Sequence, residues 1–168
     1  MIGKAIFIFT ATLILSLTPG FAYSAADFTL EDVNGEIFNL KDNLGQGPVL
    51  LDFWATWCVP CKNALPHLQT LKDKYEKQGL KVITISIDSP KSQSKIKPYI
   101  TAKKFTFTVL LDPNSAVLKQ FKSNSVPFQV LIDKEGNIIE SHTGYNPGDE
   151  KVLEEKIIKL LPAGSGNE

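Results

Sequence analysis

The chain's only two cysteines, Cys58 and Cys61, stand three residues apart, just behind an apolar run from Val49 to Trp54. That adjacency constrains the fold more than any other feature. The run is broken by charge only at Asp52, so it reads as a strand buried on both faces, at the centre of a sheet. Behind the cysteines, Cys61, Leu65, Leu68, Leu71 and Tyr75 recur at helical spacing, and Gly79 supplies the stop. The pair therefore sits where a central strand turns into a helix. Pro66 falls inside the helical pattern and predicts a kink.

The remaining pattern alternates. Asp27 to Leu40 reads as two short strands around a turn at Asn34-Gly35. Gly45-Gln46-Gly47-Pro48 is a loop before a strand, and Leu50 replaces the third glycine that a dinucleotide fingerprint needs. Lys81 to Ile87 is a second buried strand, rich in β-branched residues. Asp88 to Lys104 holds a helix with Ile96, Tyr99 and Ile100 inward, which Pro98 makes short or late. Phe107 to Leu111 is a third strand, Asn114 to Phe121 a short helix and Phe128 to Ile132 a fourth strand. A turn at Asp133 to Gly136 returns the chain along Asn137 to His142. Asn146-Pro147 opens a last helix with Leu153, Ile157, Leu160 and Leu161 as its stripe. The pattern predicts an α/β fold, a mixed central sheet with helices on both faces.

Residues 1–26 read as a separate object. Lys4 is their only charge, an apolar run follows from Ala5 to Leu17, and Pro19-Gly20 and small residues close it. The run is about 13 residues, roughly 20 Å as a helix, which is short for a bilayer. A cleaved signal peptide is the expectation, with an uncleaved anchor as the competing one. A single domain over residues 27–162 and a polar tail at 163–168 follow. Export places the protein in a periplasmic or other extracytoplasmic compartment, where disulfides persist. Membrane contact then arises only through an uncleaved N-terminus. At 43% hydrophobic and 21% charged, the composition argues against disorder. The 18 basic residues, all lysines, are balanced by 18 acidic ones, which disfavours nucleic acid as a partner.

Three chemistries compete for the cysteine pair. A haem centre needs a histidine directly after the second cysteine, where Lys62 stands, and a zinc centre needs more cysteines or a nearby histidine pair, whereas the only histidines are His67 and His142. A purely structural disulfide gains little from closing so small a loop. A redox pair fits the position: at a helix N-terminus, unpaired N–H groups and the dipole stabilise a thiolate on the first cysteine. No metal and no cofactor beyond the disulfide is expected. Asp52 reads either as a buried acid with a raised pKa or as a strand-edge aspartate that water reaches. His67 and His142 read as solvent-facing.

Leu51-Asp52-Phe53-Trp54-Ala55-Thr56-Trp57-Cys58-Val59-Pro60-Cys61 resembles the active-site segment of the thioredoxin superfamily. The chain is most similar to its extracytoplasmic thiol–disulfide oxidoreductase branch, often called TlpA/ResA-like, over about residues 27–161. Pro66 stands where thioredoxins kink this helix, and Ser125-Val126-Pro127 resembles their cis-proline segment. Residues 88–111 resemble the helix–strand insertion of this branch, and residues 132–144 its terminal hairpin.

The resemblance implies a thioredoxin fold with an N-terminal hairpin. It implies Cys58 as attacking thiol, Cys61 as resolving thiol and Asp52 as the acid that exchanges the Cys61 proton. Trp57, Val126 and a cis Pro127 would bind substrate, while Pro60 and Pro66 shape the site. It further implies a disulfide reductase acting on proteins such as apocytochrome c and recharged by a membrane thiol reductase. Ala64 stands where some relatives carry an acid, and no lysine between Val82 and Asp88 can partner Asp52. Two alternatives are a Cu(I) carrier using Cys58, Cys61 and His142, and a peroxiredoxin-like peroxidase. For the latter, Ala55 holds the threonine position and Thr56 is out of register.

Overall fold

The computed structural model describes residues 23–162. The expected leader lies outside them except for its last four residues, and the expected tail at 163–168 lies outside them entirely. Among the described residues no helix is long and apolar enough to cross a membrane.

The elements follow the order β1 (Thr29–Glu31), β2 (Ile37–Asn39), β3 (Val49–Trp54), α1 (Val59–Tyr75), β4 (Lys81–Ser86), α2 (Ile96–Ala102), β5 (Thr108–Leu111), α3 (Ala116–Gln120), β6 (Phe128–Ile132), β7 (Ile138–Thr143) and α4 (Asp149–Leu160). Five strands form one sheet in the order β5-β4-β3-β6-β7. β3 pairs parallel with β4, β4 parallel with β5, and β6 antiparallel with both β3 and β7. The sheet is mixed, as expected, with β3 at its centre.

β3 is buried along its whole length. Its alternating side chains feed two cores. Leu50 and Trp54 join α1, Ile96 and Ile100 of α2, and Ile157 of α4. Val49, Leu51 and Phe53 face the other way and join Val117 and Leu118 of α3 with Phe121 and Phe28. Helices therefore cover both faces, which is why the strand tolerates no exposed position.

The β1–β2 hairpin turns on Asp32, whose Oδ1 accepts from the backbone N–H of Asn34 at 2.7 Å and of Glu36 at 2.9 Å. The same residue bridges to Leu110 and so covers the β5 edge. At the other edge, Ser24 bridges Asn137, and the Ala25 N–H donates to Gly136 O at 2.8 Å. α4 begins at Asp149, two residues later than Asn146-Pro147 suggests, because Gly148 precedes it in a left-handed conformation (φ 109°).

Candidate active site

Cys58 is the N-cap of α1 and forms a disulfide with Cys61. Its sulfur accepts from the Cys61 backbone N–H at 3.2 Å. The first cysteine is 5% exposed and the second fully buried. A slightly exposed outer sulfur and a shielded inner one follow from the placement of the pair across the first helical turn. Pro60 lies in that turn, where a missing N–H costs nothing. Pro66 sits in the helix interior and leaves one carbonyl of the preceding turn unpaired by the ladder.

The Ala55–Trp57 loop is clamped from β4. Asp88, fully buried just past that strand, accepts from Thr56 N–H at 2.8 Å and from the Thr56 hydroxyl at 2.7 Å. Ser86 Oγ donates to the same carboxyl at 2.9 Å. This clamp was not foreseen from the sequence. Its only trace is an aspartate closing an apolar strand, a pattern shared by many turns. It also engages the Thr56 hydroxyl.

Asp52 is completely buried, which excludes the strand-edge reading. It shares a sheet face with Leu50 and Trp54, both packed in one core with Cys58 and Cys61. Burial pushes its carboxyl up to about 7, only partly offset by a hydrogen bond from Gln129 Nε2 to Oδ1 at 3.0 Å. Oδ2 has no partner. The neighbour of the acid is thus a neutral amide from β6. Gln129 was missed because it reads as an ordinary polar break in a strand.

The Val126–Pro127 peptide is cis. Pro127 O accepts from Gly144 N–H at 2.8 Å, which ties this loop to the end of β7. Val126 packs against both cores, including the one that holds the cysteines. Trp57 and Val59, on either side of Cys58, are 63% and 61% exposed. Large apolar side chains in water beside a redox sulfur make a contact surface. Val59 was not foreseen; an apolar residue opening a helix away from its buried stripe was the available signal.

The histidines separate. His67 is exposed, as expected, with its ring 5.9 Å from that of Tyr145. His142 keeps 43% of its side chain exposed, as expected, while its Nε2 is buried on the side toward α4. Glu140 and His142 of β7 stand on the α4 side, with the exposed Ile139, Ser141 and Thr143 alternating between and beyond them. Among the described residues, no three metal-ligating side chains come together. His142 therefore does not complete a copper site with the two cysteines.

Residues 22–141 match the profile described as the AhpC/TSA family. The thiol-disulfide oxidoreductase ResA of Bacillus thuringiensis subsp. konkukian is 31% identical over 138 residues, 82% of this chain and 77% of the relative. The ResA of Geobacillus kaustophilus is 33% identical over 121 residues, 72% of this chain and 68% of the relative. A Chlorobium tepidum protein provisionally named thiol:disulfide interchange protein DsbE superposes with a TM-score of 0.76 at 30% identity, covering 82% of this chain and 95% of that one. StoA from Bacillus subtilis gives a TM-score of 0.64 at 29% identity, covering 78% and 96%.

Proposed function

Because this chain belongs to the thioredoxin-like AhpC/TSA family and is a thiol–disulfide oxidoreductase, we propose that it runs as a disulfide reductase outside the cytoplasm. The observation that carries this reading is the Cys58–Cys61 disulfide across the first turn of α1, with only the outer sulfur near the surface.

In the reduced state the helix N-terminus stabilises the Cys58 thiolate. That thiolate attacks one sulfur of a substrate disulfide. A Cys58–substrate bond forms, the substrate S–S bond breaks, and the departing thiolate takes up a proton. Cys61 gives its proton to Asp52 and attacks Cys58 Sγ. The mixed disulfide breaks, the second substrate thiol leaves, and Cys58–Cys61 forms. Two electrons have passed to the substrate. An acid titrating near 7 suits the proton step, since it accepts and returns a proton close to neutral pH. Trp57 and Val59 give an extended apolar substrate a landing surface, and the Val126 backbone offers it hydrogen bonds.

Misoxidised exported proteins, apocytochrome c among them, are the substrate class that fits this chemistry. A membrane thiol reductase resupplies the electrons. The dipeptide Val59-Pro60 contains no histidine to stabilise the reduced form further, which favours the reducing direction.

The test is equilibration in glutathione and dithiothreitol buffers, reading the cysteine state by thiol labelling. A reductase sits near or below about −250 mV; a value near about −120 mV would make the protein an oxidant instead. Cys61→Ser should trap the Cys58-linked substrate, which identifies it directly.

A further inference from the structure

A file of polar side chains crosses one face of the sheet. Asp52 of β3 stands opposite Gln129 of β6, and Gln129 stands opposite His142 of β7. Directly paired residues on neighbouring strands present their side chains to the same face. The file therefore runs from the buried centre of the sheet to its edge, where α4 closes it. There Asp149 Oδ2 comes within 3.4 Å of His142 Nε2, a contact that becomes an ion pair when the imidazole is protonated.

Three buried side-chain polar atoms among the described residues make no hydrogen bond: Asp52 Oδ2, Trp54 Nε1 and His142 Nε2. Two of the three belong to this file. Between the sheet and α4 lies a cavity of about 90 Å³, walled by Gln129, His142 and Asp149 together with Leu50, Leu131 and Leu153. It is large enough and polar enough to hold water.

The other charged and titratable groups around His142 are engaged or turned away. On β7 and α4, Glu140 pairs with Lys156. Tyr145 donates to Glu150 at 3.1 Å, Asp149 accepts from Asn146 N–H at 2.7 Å, and His67 of α1 is exposed. On the Asp52 side, Thr84 of β4 gives its hydroxyl to Thr108 O, and Cys61 of α1 is the sulfur already described. The His142 ring nitrogen is left as the free exchanging group, and imidazole is the side chain suited to moving protons near neutral pH.

We propose that this file is the proton path of Asp52. Protons reach and leave the buried carboxyl from the β7–α4 side, through cavity water and His142 Nε2, and not through the mouth that holds the disulfide. Gln129 is the positioning residue that fixes the carboxyl beside the path. The carboxyl O–H bond breaks as its proton passes to water, a proton of that water forms the N–H bond on imidazole, and the imidazolium then releases a proton to solvent; no electrons move. The proposal rests on the reading that Asp52 takes the Cys61 proton.

The test mixes the reduced full chain with 5,5′-dithiobis(2-nitrobenzoate) in stopped flow from pH 5 to 9, where Cys58 takes up one half of the reagent with release of a first coloured thiolate and Cys61 then expels the second. Release of the second coloured thiolate reports attack by Cys61. His142→Ala and His142→Gln should both slow release about tenfold at pH 6 to 7, the low end of general acid–base effects set by one relay group. Added imidazole should restore the alanine variant while its thermal midpoint stays unchanged. In an Asp52→Asn background, His142→Ala should add nothing further. If Asp52→Asn alters the pH profile but both His142 variants superimpose on the parent, the proton takes another way out and the path is refuted. If Asp52→Asn itself leaves the profile untouched, the reading of Asp52 fails and the path falls with it.

Discussion

At Asp52 the sequence speaks plainly about chemistry and less so about partners. An acid inside an apolar strand is visible in the order of letters, and its burial is confirmed. That a glutamine would lie against it depends on the β3–β6 register, which no local pattern reveals. Its raised pKa fixes a sign for stability. Between about pH 4 and 7 the folded state holds a proton that the unfolded chain has lost, so stability falls as pH rises through this window. Asp52→Asn should therefore stabilise the oxidised protein at pH 8, by up to about 4 kcal/mol, and give no gain at pH 3.5. Urea titrations at the two pH values check this; equal effects at both would mean that the carboxyl is not held protonated. Asp88 is the converse case, invisible in the sequence yet holding the Ala55–Trp57 loop through two hydrogen bonds from Thr56 while Ser86 of β4 supplies a third. Thr56→Val should cost about 1.5 to 3 kcal/mol, because it leaves Asp88 with one donor fewer in a dry setting.

Among the elements, α1 was the easiest to read, since its five apolar positions and its internal proline are periodic or chemical signals, although it ends at Tyr75 and Gly79 closes the 3-10 turn Glu76–Gln78 that follows. α2 and α3 were harder. They are short, and their packing on the sheet decides where they end. Least legible was the contact between the loop ahead of β3 and the end of α1. A Cβ on Gly47 would lie 2.5 Å from Gly79 O, and one on Gly79 2.8 Å from Gln46 O. Neither oxygen can yield without moving backbone. Gly79 also sits at φ +100°, where side chains are strained. Gly79→Ala should lower stability by about 2 to 3 kcal/mol with the denaturant slope unchanged. The double variant with Gly47→Ala should cost less than the sum of the two, since both relieve one contact.

For the whole molecule, the two cores on either side of β3 hold the fold without help from the disulfide. Cys58 and Cys61 are only three apart in sequence, so their bond constrains the unfolded chain little. Reduction should lower stability by no more than about 2 kcal/mol, a few degrees in the thermal midpoint. A larger drop in calorimetry would mean that the site and the cores are coupled. Such independence suits a protein that must survive each turn of its redox cycle.

The stitching of Ser24 and Ala25 to the β6–β7 turn has a geometric consequence. That turn lies beyond Ile132 and Ile138, which share the Val49 end of the sheet, whereas the cysteines follow its Trp54 end. The described residues therefore begin at the pole opposite the cysteine pair. A tether there would behave like a mooring line at the stern, leaving the bow, with Trp57 and Val59 at its prow, turned away from the surface and toward passing substrates.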